Sequence, residues 1–238
     1  MSQIQMFDDF EAFDEYALAR ATALAMGSHR VPLSACGGWV VEPERVARED
    51  GRFFQIGGVH IDKVKNREVS GWAQPMICGE TDGRAALVVT RDHVLVRLRT
   101  DAGNKGILLS GGEETRVLVA PPLQFSQSNL EHNLRALRGE LDDNRQPIKP
   151  VPLAGILTDD RFVVRWHKIP QDGARFFEKV DAVAAVRITS TDKLDPDFAA
   201  LSQDEQADFM WVSKDIFHRI LVGEIASAYL WMCAYLTR

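Results

Sequence analysis

Residues 93–104 read HVLVRLRTDAGN, and the alternation within them decides the fold class. Val94, Val96 and Leu98 alternate with Leu95, Arg97 and Arg99, the period of two that places successive side chains on opposite faces of a strand. A strand over His93–Arg99 therefore carries Arg97 and Arg99 on one face. The turn residues Asp101-Ala102-Gly103-Asn104 close it. Outward from this strand, the runs Arg52–Ile61, Ser70–Ile77, Ala85–Thr90, Gly106–Leu109 and Arg116–Val119 have the same β texture. They are punctuated by Gly57-Gly58 and Thr81-Asp82-Gly83. Connections this short predict a largely antiparallel, curved sheet.

Helical spacing flanks the strands. Phe7–Met26 carries Phe7, Phe10, Phe13 and Tyr16 at three-residue intervals, acidic groups early and Arg20 late, which suits the helix dipole. This predicts an amphipathic helix within residues 1–30 that docks on the core or on a partner subunit. Leu130–Leu141 reads as a helix after Asn129, and Asp142–Pro152 as a polar, Pro-rich loop. Strands return at Arg161–His167 and Ala182–Thr189, and Lys193–Asp208 reads as an acidic loop. Ser213 then caps a helix that stops at Gly223, and Glu224–Leu236 forms a second apolar helix. No boundary between two cores is visible, so the expectation is one α+β domain over residues 1–238. Its sheet is mixed to antiparallel and curved, with flanking helices.

A net charge of −6 disfavours nucleic acid or a membrane surface as partner, since both require a cationic face. Cys36, Cys78 and Cys233 are far apart and lack metal-ligand spacing, so neither a disulfide framework nor a zinc site is expected. MSQIQMFDDFEAF is acidic rather than basic-then-apolar, unlike a secretory signal, and no apolar run approaches the ~20 residues of a membrane span. A cytoplasmic protein is the expectation.

Six segments in order resemble the NDP-hexose 2,3-dehydratase family. They are Gly51–Val59 (GRFFQIGGV), Arg67–Pro75 (REVSGWAQP), Leu95–Asn104 (LVRLRTDAGN), Ala120–Asn129 (APPLQFSQSN), Gln171–Phe177 (QDGARFF) and Asp208–Val212 (DFMWV). The resemblance runs from about Trp39 to the C-terminus. It implies a Nudix-like sandwich fold, although the glutamate-rich Nudix catalytic helix is missing. Family members usually carry two such modules in tandem, so a chain with one implies a homodimer. The implied reaction removes water across C2 and C3 of a nucleotide-linked 4-keto-6-deoxyhexose, such as a dTDP-sugar, in deoxysugar biosynthesis. It needs no metal and no redox cofactor. The rival reading is a non-catalytic sugar-nucleotide-binding partner, or a variant acting on another NDP-keto-sugar.

That chemistry needs groups that hold a diphosphate, stabilise an enolate and move protons. Arg97, Arg99 and Arg175 are the candidate diphosphate contacts. Trp72 offers a ring to the base or sugar, and Gln74 and Asn104 offer amides. Gln124, Ser126, Ser128 and Asn129 form a concentrated polar set after the stiff Pro121-Pro122 pair, with Gln124 assigned to the catalytic group. Asp101 and His167 are the candidate proton carriers. Bland alternatives stand beside these roles: Trp72 as a core aromatic, His167 as a structural histidine, and Asn129 as the cap of the Leu130 helix. The chain also departs from the family pattern. Arg99 and Asp101 stand where K-x-E has Lys and Glu, and Gln171 replaces a Glu. Val180-Asp181-Ala182 replaces N-R-N after R-F-x-x-K, and Ser227–Met232 replaces N-M-D-x-R-T.

Overall fold

The computed structural model describes residues 4–237 except 64, 67, 80, 81, 108–113, 160, 161 and 163, with the backbone alone at 195 and 196. It opens with β1 (Gln5–Phe7) and α1 (Phe10–Ala23). Asp9 caps α1 by accepting from the Ala12 amide at 2.9 Å. The helix expected from Phe7 starts later because Gln5–Phe7 is drawn into a parallel pairing with Met210–Val212.

A four-stranded antiparallel meander follows: β2 (Trp39–Val41), β3 (Arg45–Arg48), β4 (Phe54–Ile61) and β5 (Trp72–Gly79). β2 and β3 are too short to show a period and were not expected. β4 starts two residues later than its sequence run, because Gly51 and Phe53 have left-handed backbones with φ of 67° and 66°.

The larger sheet begins with the hairpin β6 (Arg84–Val89) and β7 (His93–Thr100). Its two strands pair only at Val88–Val89 with Val94–Leu95 and then splay. β8 (Val117–Ala120) fills the gap beside β7, and β9 (Leu123–Phe125) fills it beside β6. Pro121-Pro122 lies between them, where a residue without an N–H cannot extend the ladder. The fork between β7 and β6 is where the cleft opens.

α2 (Gln127–Leu137) follows, then β10 (His167–Pro170) and β11 (Val180–Arg187). Next come α3 (Asp195–Ala199), α4 (Gln203–Gln206), β12 (Phe209–Ser213), α5 (Lys214–Val222) and α6 (Ala228–Ala234). The sheet order is β1-β12-β7-β6-β11-β10, with parallel pairing at β1–β12 and β6–β11 and antiparallel pairing elsewhere. The architecture is thus mixed α+β, with open curved sheets.

Helices cover both faces of this sheet. Val94, Val96 and Leu98 join Phe13, Ala17, Val212, Ile216, Ile220 and Leu230 in one core under α1, α5 and α6. Leu95 joins Leu123, Leu130, Ile156, Val186 and Trp211 in the other, under α2 and the turn at Ala154–Leu157. The alternation in β7 therefore feeds both cores, and removing the fully buried Leu95 side chain would cost about 2–5 kcal/mol.

Several expected elements differ. Ser126 rather than Asn129 caps α2, and the helix ends at Leu137, leaving Leu141 half exposed. The strand expected at Arg161–His167 occupies His167–Pro170 instead, where it pairs with Val180–Val183. Residues 161 and 163 of that expectation lie outside the described residues. Gly106 and Ile107 bond to the Thr115 and Val117 carbonyls, and the rest of that expected strand is also outside them. The acidic loop holds α3 and α4, the latter closed by a Ser202–Glu205 capping box. The last apolar helix is cut to Ala228–Ala234 by the Ser227 cap. Among the described residues no helix is long and apolar enough to cross a membrane.

Candidate functional site

Side chains on the outer half of β7 meet α2 and the β8–β9 turn around a chamber of about 550 Å³. Arg97, Arg99, Asp101, Pro121, Pro122, Gln124, Asn129, His132, Asn133 and Asp208 contribute to its wall. A narrower cavity of about 130 Å³ shares Arg99, Gln124 and Asn129 with it and adds Gly83, Ser126, Gln127, Lys179 and Tyr229. A third, of about 370 Å³, shares Ser126 and Lys179 with that neck. The three adjoin one another through these shared residues and are together called the cleft.

The chamber is held by charge pairs of unequal quality. Asp208, 9% exposed, accepts from Arg20 Nε at 2.8 Å, and Arg20 also bonds Asp204 at 2.6 Å. Arg97 reaches the same Asp208 only at 3.7 Å and stacks its guanidinium 4.9 Å from the Phe209 ring. Burial pulls the Arg97 pKa down, against the opposing pull of Asp208. Among the described residues its buried Nε has no hydrogen-bond partner, and neither has the buried Oε1 of Gln124. Both residues line the chamber, and an orphaned buried polar atom is costly. Arg99 is better matched, with Nε and Nη2 at 2.9 and 3.2 Å from the Asp101 carboxylate.

The neck combines a helix start with two cations. Ser126 accepts from the Asn129 amide at 3.4 Å, so Asn129 falls in the first turn and its side chain lines the cleft instead of capping. The positive end of the 11-residue α2 therefore meets the same cavity as Arg99 and Lys179. Behind it, the fully buried Asp181 carboxylate accepts from Tyr229 Oη at 2.5 Å, Gln171 Nε2 at 2.9 Å and the Gly83 amide at 3.0 Å. Lys179 Nζ stands 3.8 Å away. Burial first, and then the hydrogen bond to Asp181, pushes the Tyr229 pKa well up, so it remains a phenol donor.

Of the residues singled out in the sequence, Arg97, Arg99, Asp101, Gln124, Ser126 and Asn129 share this cleft. The others lie off its walls. Ser128 sits on the first turn of α2 without lining a cavity of the cleft. Trp72 donates to Gln74 at 2.8 Å, and Gln74 donates to the Ala174 carbonyl at 2.9 Å, so this pair fastens β5 to the loop between β10 and β11. Asn104 and Arg116 exchange bonds to each other's carbonyls and close the turn after β7. Arg175 is exposed beside Asp172, and His167 is exposed on the edge strand β10. Sequence reading passed over Lys179, Asp181, Asp208, His132 and Tyr229. Lys179 had a signal in the R-F-x-x-K spacing and Asp208 in DFMWV. Asp181 was a single carboxylate in the apolar run VDAVAAV, which is itself a mark of a paired buried charge.

The sequence profile described as NDP-hexose 2,3-dehydratase matches residues 11–224. A dTDP-4-dehydro-6-deoxy-alpha-D-glucopyranose 2,3-dehydratase of Saccharopolyspora spinosa is 29% identical over 191 residues, which cover 77% of this chain and 33% of that one. The enzyme of the same name from Amycolatopsis orientalis is 34% identical over 107 residues, 43% of this chain and 21% of that one. The match thus spans about a third or less of these relatives' own length. With the profile covering most of the chain, and the APPLQFSQSN segment forming the cleft wall, the chain belongs to the NDP-hexose 2,3-dehydratase family.

Proposed function

We propose that this chain removes water across C2 and C3 of a dTDP-linked 4-keto-6-deoxyhexose, with the hexose in the chamber and the diphosphate at the neck. The carrying observation is that Arg97 and Gln124, each holding a buried polar atom without a hydrogen-bond partner among the described residues, both line the chamber. One donates and one accepts, which suits a carbonyl or developing enolate oxygen beside a hydroxyl. A base takes the C3 proton, acidified by the C4 carbonyl, and the electron pair forms the enolate that Arg97 stabilises. The enolate collapses, expelling the C2 hydroxyl as water with a proton from an acid. The resulting C2–C3 enol becomes the 3,4-diketo sugar. One proton is taken and one is given, so no net oxidation occurs. Asp101 and His132 are the chamber's candidate proton carriers: the Asp101 side chain is half exposed although paired with Arg99, whereas Asp208 is nearly buried against Arg20. His167, exposed on β10, does not line this chamber.

The reading extends to a single domain of Nudix-like sandwich form in the cytoplasm, working as a homodimer in which two subunits stand in for tandem modules. The test is incubation with dTDP-4-keto-6-deoxyglucose in deuterium oxide. Expected are loss of one water and deuterium at C2 of the product, where the C2–C3 enol takes up a solvent proton. A bound ligand with neither outcome rejects the reaction. It would favour the second reading, a non-catalytic sugar-nucleotide-binding partner, for which Gln171 speaks. That residue replaces a family glutamate, and its amide is committed to Asp181.

A further inference from the structure

Beyond the neck, the cleft ends in the pocket of about 370 Å³ walled by Phe53, Phe54, Ile77, Cys78 and Phe176, with Lys179 and Ser126 common to both cavities. We infer that this pocket is the nucleobase subsite, gripping a pyrimidine ring by its faces while Lys179 and Arg99 meet the diphosphate. The inference rests on the sugar-nucleotide reading above and adds to it the part of the molecule that receives the base.

Adjacent residues of an extended chain point to opposite faces, yet Phe53 and Phe54 both line this one pocket. The left-handed backbone at Phe53, φ 66°, is what lets them do so. A bulky aromatic in that conformation is strained, and such strain gathers at binding sites. The two rings remain 41% and 42% exposed, although large aromatics are ordinarily buried.

Each ring is nonetheless braced. Arg48 stands 5.2 Å from the Phe53 centroid, Trp39 5.2 Å from that of Phe54, and Lys179 Nζ 5.2 Å from that of Phe176. Backbone bonds from Ile77 N to Arg175 O at 2.8 Å, and from Phe177 N to Ile77 O at 2.9 Å, fasten the Phe176 segment to β5. The result is a preformed aromatic slot rather than a loose apolar surface.

The order along the cleft matches a nucleoside diphosphate sugar: planar ring, then negative charge, then polyol. Aromatic walls lead into a cationic neck and then into a polar chamber. Among the described residues no amide or carboxylate side chain lines the aromatic end, and Cys78 Sγ is turned to the Met76 carbonyl at 3.5 Å. Recognition there is accordingly by stacking, which any pyrimidine face satisfies.

Calorimetric titration of the whole chain with dTDP, and separately with inorganic pyrophosphate, tests this. Phe54→Ala and Phe176→Ala are expected to weaken dTDP by about tenfold or more while changing pyrophosphate by less than about twofold. Phe54→Leu keeps the bulk and removes the ring, so it separates stacking from collapse of the pocket and should also lose affinity. In the unaltered chain, the thymine H6 and methyl resonances of dTDP should move upfield on binding. Unchanged dTDP affinity in the variants overturns the subsite, as do equal losses for both probes or unshifted thymine resonances. Absence of dTDP binding overturns it together with the sugar-nucleotide reading. Phenylalanine-dependent dTDP binding by a chain that dehydrates no sugar upholds the subsite and rejects the reaction alone.

Discussion

Tyr229 on α6 donates its phenolic hydrogen to Asp181 on β11 at 2.5 Å, across 48 residues of chain. The pair lies behind the neck of the cleft and ties the last helix to the sheet strand next to β6. Because Gln171, Gly83 and Lys179 converge on the same carboxylate, Asp181 organises three segments at once.

Removing that carboxylate strands the donors around it. Asp181→Ala is expected to destabilise the chain by about 3–5 kcal/mol, and Tyr229→Phe by about 1–2 kcal/mol. Gly83→Ala should also be costly, since a Cβ there would lie 2.7 Å from Asp181 Oδ1 and 3.1 Å from the Phe125 carbonyl. Urea denaturation midpoints measure all three. An Asp181→Ala chain as stable as the parent would show that the cluster contributes nothing to folding.

Alkaline pH should weaken the fold through two buried acids. Burial pushes the Cys233 thiol from its ordinary 9.0 up to about 12 and lifts Tyr229 well above its ordinary 10.0. Both folded values are raised, so the folded state keeps protons that the unfolded chain releases. Their contribution is complete below about pH 9 and is lost as pH rises towards the folded values, at about 1.4 kcal/mol per pH unit for each group. Denaturant titrations from pH 7.5 to 10.5 should show the decline, and Cys233→Ala should flatten its lower part.

Gln124 trades stability for binding. Gln124→Met removes a buried acceptor that has no partner, so the ligand-free chain should gain about 1 kcal/mol. Turnover of the keto-sugar nucleotide should fall by about a hundredfold, as for loss of a preorganised polar contact. Thermal melting alongside steady-state rates tests both halves. A variant that is both less stable and fully active contradicts the assignment.

Ser126 acts on both helix and ligand. Ser126→Ala should cost about 1 kcal/mol by uncapping α2. It should also weaken pyrophosphate binding, because fraying turns the first-turn amides away from the neck. Ser126→Asn, a competent cap, should restore stability. If pyrophosphate affinity is the same in all three chains, the helix start takes no part in anion binding.

Much of the architecture was readable along the chain because it is dictated by local rules. The alternation Val94–Arg99 marked β7 and the face shared by Arg97 and Arg99, while the two cores that its other side chains enter emerged only in the structure. APPLQFSQSN marked the cleft wall, and the family followed from motifs in order. β1, β2 and β3 stayed hidden, since three or four residues carry no period and their partners are distant in sequence.

Which polar side chains face one another was decided only by folding. Nothing local sends Asn129 into the cleft; Ser126 had first to take the cap. Trp72 and Gln74 looked available and are spent on each other, while His167 looked like a proton carrier and lies on an exposed edge strand. Lys179, Asp181, Asp208 and Tyr229 meet the motif residues because β6 and β7 splay and β11 and β12 flank them. The sequence determined the longer strands and helices and the family, since period, capping and motif order act over a few residues. The tertiary structure decided the site, since Gly83 and Tyr229 of one cavity are 146 residues apart in the chain and only tertiary packing closes that distance.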